Sequence, residues 1–211
     1  MKYITIFLFA LFVTSSQGHA QYKSNSIKIS PIEFAQAEFQ ISYEKYFGNR
    51  SSSIIIFPSI ILKDSYDQSK EGVQGMLQYR FYLTHMNNEQ GRTFLNLYNY
   101  GFYTGLYALY MDYSEDYRLG LYNQDTDEYE MHELHKDVSS IEGGAIVGLQ
   151  VDITRRIVID MYIGGGIRKT DLEDQLTQEQ RDQAYIQSYG VFDPEYQGVK
   201  PKLGFQIGMT F

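Results

Sequence analysis

His132, Glu133 and His135, in the stretch HELH, are the densest gathering of metal-ligating side chains in this sequence. Two zinc-binding histidines on one helix stand one turn apart, as in HExxH, and these two do not have that spacing. In an acidic segment the stretch reads as solvated surface. Asp137, Ser139 and Ser140 beside His135 supply the residue types of a hydrolase triad. No G-x-S-x-G elbow surrounds either serine. Glu44 with Arg80, and Asp160 with Arg168, are pairs of acid and base; inside a closed fold such pairs hold structure together. Gly164, Gly165 and Gly166 follow a strand, as a phosphate-cradling loop would. No helix comes next to aim its N–H groups at a phosphate, so close packing or a strand kink is the better account. The acidic residues of 114–138 and 170–198 could hold divalent cations that bridge lipopolysaccharide, with solvation as the default. These residues point to no reaction. The expectation is a non-enzymatic chain without a cofactor, metal site or catalytic residue.

The segments that carry these residues alternate. Eight strands are predicted, over residues 26–32, 39–47, 53–63, 73–83, 94–113, 142–154, 157–168 and 201–211. In the last, Pro201, Leu203, Phe205, Ile207, Met209 and Phe211 share one face. Lys202, Gly204, Gln206, Gly208 and Thr210 share the other. The third strand is apolar on both faces, and Pro58 within it predicts a bulge. The fifth is longer than an ordinary strand of about 5–6 residues. Residues 114–138 and 170–198 are predicted as long polar loops, the second with a short helix over residues 178–187 behind the capping box at Thr177. Connections after the second, fourth and sixth strands are read as short turns carrying Arg50, Arg92, Arg155 and Arg156. Acid thus gathers at one end and base at the other.

Residues 1–20 have a single lysine, an apolar run over 4–13 and small residues at Gly18 and Ala20. That is a secretory signal peptide with cleavage after Ala20, leaving residues 21–211 as one barrel domain. The run is shorter than the roughly 20 residues a spanning helix needs. Of 211 residues, 43% are hydrophobic, 20 are Tyr, 13 are Phe and none is Cys. Mean hydropathy is −0.36. Membrane barrels have such compositions because only alternate residues meet lipid. A net charge of −8 argues against nucleic acid as a partner.

The polar faces decide which way the strands look. Glu44, Gln78, Arg80, Gln150, Asp152, Asp160, Arg168, Lys202 and Gln206 alternate with the apolar faces, interleaved with glycines. Both signs of charge mixed with small residues fit a narrow lumen better than an open surface, and eight strands leave room for side chains to fill. The expected fold is all-β: a closed antiparallel up-and-down eight-stranded transmembrane barrel. Its lumen is plugged by a polar network of those nine residues, and outer-membrane lipid surrounds it. A narrow pore for small solutes and a lipid-modifying barrel enzyme are the alternatives.

Tyr43–Phe47 (YEKYF), Gln78–Leu83 (QYRFYL), Gly101–Tyr107 (GFYTGLY), the leader and the terminal Phe211 together resemble the small eight-stranded outer-membrane β-barrels, particularly their DUF3575-like group. The resemblance covers the mature chain as a pattern rather than a catalytic motif. It implies insertion by the barrel-assembly machinery, with Phe205, Ile207, Met209 and Phe211 as the assembly signal. It implies an address in the outer membrane and no reaction.

Overall fold

The computed structural model describes residues 24–34, 37–48, 50–65, 68–83, 86–87, 99–123, 128–154, 156–174 and 195–211. In chain order these form β1 (Asn25–Ile29), a one-turn helix α1 (Pro31–Phe34), β2 (Glu38–Phe47), β3 (Ser52–Ser65), β4 (Gln68–Tyr82), β5 (Met86–Asn87), β6 (Asn99–Asn123), β7 (Glu128–Asp152), β8 (Ile157–Asp174) and β9 (Gly198–Thr210). Every pairing is antiparallel. β1 pairs with β9 and β4 with β6, which closes an eight-stranded up-and-down barrel. The two-residue β5 takes up β6 just below β4, one residue out of register: Tyr82 faces Tyr103, and Met86 faces Tyr100.

Pairing fixes the shear. From Met209 the partners run through Ile27, Tyr43, Ile56, Leu77, Ala108, Gly143 and Ile167 to Val199, ten residues along the same strand from the start. A stagger of that size accompanies the strong strand tilt of a narrow barrel. Period-2 alternation then sorts every side chain to the wall's outside or inside, because a one-residue slip would invert a whole strand. Leu203 and Val147 are 57% and 55% exposed, and Phe205 and Ile159 are partly exposed, all on the outside. Arg80 and Asp160 are fully buried within. The outside carries a broad belt of exposed large apolar side chains, of a kind that marks an interaction or membrane surface rather than a solvated one.

Several expectations change. Much of the loop predicted over residues 114–138 is strand: β6 and β7 pair in unbroken register from Asn99–Asp152 up to Asn123–Glu128. The sequence period is hidden there because both faces are polar. Cross-strand pairs hold this extension: Ser114 donates to Asp137 at 2.6 Å, and Arg118 to Glu133 at 2.7 Å. β3 and β4 likewise run on to Ser65 and Gln68, and β8 to Asp174. The first strand stops early, at Ile29, and Pro31 opens α1 instead. The bulge at Pro58 is absent. Tyr82 N–H bonds Ser51 C=O and Leu62 N–H bonds Ala37 C=O, so odd residues of β3 bond β4 and even ones bond β2. Pro58 therefore turns its missing N–H toward Ile41, and the ladder skips that pair without losing register. The signal peptide and the helix over residues 178–187 lie outside the described residues. No described helix is long and apolar enough to cross a membrane, which says nothing of a barrel.

Candidate functional site in the barrel interior

Lys28, Glu44, Arg80 and Asp160 meet at the centre of the lumen, two cations and two carboxylates with no exposed side-chain surface. Each comes from a different strand (β1, β2, β4 and β8), set there by inward parity and the shared register. Lys28 Nζ donates to Glu44 at 2.5 Å, Asp160 at 2.6 Å and Gln150 at 3.1 Å, using all three of its donors. Arg80 donates to Asp160 at 2.6 Å and twice to Gln78, at 2.9 and 2.7 Å, and its guanidinium lies 4.3 Å from the Tyr103 ring centre. Glu44 also accepts from Ser53, Tyr46 and Tyr82, and Asp160 from Tyr103 at 2.7 Å. Formal charge sums to zero, and each of the four charged groups is hydrogen-bonded to at least two partners. This is the condition under which buried ions are tolerated.

Glycines make the space. Tyr103 lies over Gly148, Tyr162 over Gly204 and Lys28 over Gly208, each its cross-strand neighbour; any Cβ there would collide with the larger side chain. Higher in the barrel Arg168 bonds Glu142 at 2.5 Å, and Tyr107 donates to the same carboxylate at 2.6 Å. Near the lower rim Arg50 meets Asp152 at 2.7 Å. On another wall Glu38 accepts from Gln74 at 2.6 Å and Gln40 at 3.3 Å.

All nine residues expected in the lumen lie on inward-facing positions, but two details differ. Asp160 pairs with Lys28 and Arg80, not with Arg168, whose partner is Glu142. Glu44 and Arg80 do pair, at 3.7 Å, with the shorter contacts of Lys28 and Asp160 linking them further. The interior is also not polar throughout. Ile55, Phe57, Ile61, Met76, Leu109, Met111 and Val138 pack into a buried apolar cluster on the β3–β4–β6–β7 side. This is the inner face of the strand that reads as apolar on both sides.

Sequence reasoning missed Lys28, Tyr103 and Glu142. The signal was present: Lys28 lies opposite the Ile27–Ile29 face, on the side of Ser26, and Glu142 has the parity of Gln150 and Asp152. The expected assembly-signal residues Ile207, Met209 and Phe211 are exposed on the outer wall, and Phe205 is partly so.

The other chemical candidates separate. HELH lies in β7, where alternation sends His132 inward and His135 outward. No group of three described His, Asp or Glu residues could hold a metal ion. His135 Nδ1 lies 2.6 Å from Asp116 and its Nε2 lies 3.3 Å from Asp137. Both ring nitrogens therefore face carboxylates, and neither is open to serve Ser139. The hydrogen bond with Asp116 raises the His135 pKa above the ordinary histidine value. Ser140 is buried inside with no partner for its hydroxyl. At the upper mouth burial works against the Lys136 charge, but Glu195 at 2.5 Å and Glu115 at 3.4 Å outweigh it and leave its pKa raised. Glu195 comes from just before β9, so this contact links β7 past β8 to the start of β9. Compared with known families, curated proteins and solved structures, the chain matches none.

Proposed function

We propose that this chain is an outer-membrane barrel of a Gram-negative-type envelope, exported by the cleaved leader over residues 1–20 and inserted by the barrel-assembly machinery through the face of Phe205, Ile207, Met209 and Phe211. It belongs, on this reading, with the small eight-stranded outer-membrane barrels and their DUF3575-like group. Its role is non-enzymatic: a rigid membrane post that presents the β6–β7 extension and the acidic outer rim for envelope structure or loop-mediated binding. The supporting observation is the pairing of an apolar outer belt with an interlocked ionic centre. Lys28 and Arg80 together grip Asp160 across the lumen, where a wide channel would hold water.

The test is in two steps. Refolded protein in detergent should migrate differently boiled and unboiled, as a closed, resistant barrel does. Identical migration would sink the barrel reading. In planar bilayers the wild type should then give no steady conductance steps. Regular steps would replace this reading with the narrow pore. An altered lipid profile on deletion would favour a lipid-modifying enzyme instead.

A further inference from the structure

The barrel wall has one broken seam. Phe211 N–H bonds Asn25 C=O at 2.9 Å and Asn25 N–H bonds Phe211 C=O at 3.1 Å, whereas Thr210 N–H bonds Arg156 on the other side. Odd residues of β9 therefore turn their backbone groups toward β1. The β1–β9 ladder ends at Ile29–Ile207. Beyond it, no backbone hydrogen bond among the described residues joins β9 to β1, α1 or β2. Val199, Leu203 and Phe205 present N–H groups to this gap. Pro201 has none to present, and neither does Pro31, the first residue of α1, two positions past Ile29 on the other lip. Proline is tolerated where no ladder partner exists, so both lips of the seam carry residues that suit its being open. α1 packs into it against β2 and β9. Ile32 and Phe34 of α1 and Leu203 of β9 stay exposed on the outside.

Two unsatisfied groups lie directly behind. Lys202, on the inward face of β9, makes no ion pair or hydrogen bond among the described residues; its Nζ lies 5.8 Å from the Tyr107 ring centre. Glu142 and Glu33 attract it from beyond ion-pair distance. Gln206 is 1% exposed and donates to Ser30 at 3.1 Å and Ser42 at 3.0 Å, but its Oε1 accepts nothing. The two residues stand two pleats apart, about 13 Å along the strand, a span the lysine side chain shortens. In hydrocarbon, free backbone N–H groups are costly unless something satisfies them.

We infer that the β1–β9 seam is a lateral binding site for an acidic membrane phospholipid. Its phosphate meets Lys202 and the free N–H groups of Leu203 and Phe205, a head-group hydroxyl donates to Gln206 Oε1, and its acyl chains remain outside along Ile32 and Phe34. The inference rests on the outer-membrane reading, which supplies the lipid.

The test uses the full mature barrel in dodecylmaltoside, titrated with phosphatidylglycerol or phosphatidylcholine, with retained lipid counted by native mass spectrometry. Wild type and Lys202→Arg should retain one phosphatidylglycerol per barrel. Lys202→Gln should retain it about tenfold less, and Lys63→Gln, on an exposed part of β3, as wild type does. Without added lipid, the amides of Leu203 and Phe205 should exchange with solvent far faster than those of Ile207 and Met209. Equal retention by Lys202→Gln, equal retention of phosphatidylcholine, or Leu203 and Phe205 amides as protected as Ile207 would overturn the site. Binding of free glycerol phosphate as tight as that of phosphatidylglycerol would overturn the lipid assignment. A chain that folds without detergent would instead remove the outer-membrane reading itself.

Discussion

Lys28→Met is the sharpest perturbation of the ionic centre. The methionine has similar length and fills the same space over Gly208, so the change removes a charge and three hydrogen bonds while leaving little void. Glu44 and Asp160 then share Arg80 alone, and the centre carries one uncompensated negative charge on fully buried side chains. Removing one partner of a fully buried pair costs about 3–5 kcal/mol, or roughly two to three and a half powers of ten in the folding equilibrium at tenfold per 1.4 kcal/mol. With a urea slope of about 1–3 kcal/mol per molar, the midpoint should fall by roughly 1–5 M for barrels refolded in vesicles. Lys28→Met with Glu44→Gln restores neutrality and should recover most of that loss, a coupling above about 1 kcal/mol. Lys169, exposed on the outside and 3.9 Å from Asp171, is the control. Its replacement by Met should cost under about 1 kcal/mol. If Lys28→Met unfolds within 1 M of wild type and the second substitution adds to the damage, the centre does not hold the barrel as argued.

Gly148→Val should lower the unboiled-to-boiled transition temperature, because its side chain would strike the Tyr103 ring; overpacking of this kind costs about 1–3 kcal/mol. A transition unchanged from wild type would refute the packing argument. Pro58→Val should be neutral or stabilising by up to about 1 kcal/mol, since the N–H it supplies faces Ile41 across an existing register; destabilisation beyond that in urea would mean the ladder gap is needed. His135 has a raised pKa in the folded chain, so its contribution is present in full below the ordinary histidine pKa and is lost as pH rises through the folded value. Amide protection at Ser114–Asp116 should therefore fall from pH 6 toward alkaline pH in wild type and stay flat in His135→Gln; parallel behaviour of the two would contradict it. Removing Phe211 should slow assembly by the purified insertion machinery while leaving detergent refolding intact, and unaltered assembly kinetics would dismiss it as a signal.

The two-residue period was readable wherever one face is apolar and the other is not. Leu203 with Gln206, and Val147 with Gln150, announce outside and inside without any coordinates, and eight such segments suffice for the barrel. The same signal fails in three places for three reasons. Along Ser114–Asp116 and Asp137 both faces are polar, so continued pairing leaves no mark on hydropathy and a hairpin looks like a loop. At β1 the run Ile27–Ile29 falls out of phase before Ile32, and Pro31, whose fixed φ suits a first helical turn, opens α1 instead. Around Ile55 and Phe57 both faces are apolar, which conceals that half the lumen is greasy.

The ionic centre lay beyond reach for a different reason. Alternation says that Lys28, Glu44, Arg80 and Asp160 point inward, but not that they lie in one layer; that needs the register of four strands and the ten-residue stagger together. Pairing Asp160 with Arg168 respects the sign of charge and ignores height: Arg168 sits eight residues further up the same strand, about 26 Å away along it. Across the narrow lumen Arg80 is closer than that, and so is Lys28. Opposite charges in a closed barrel find partners across the axis at equal height before they find them along the strand. Glu142 likewise finds its partner at equal height, Arg168, here its direct neighbour on the adjacent strand. The register that brings these charges together also leaves Lys202 a layer with no carboxylate at contact distance, which is where the wall is open.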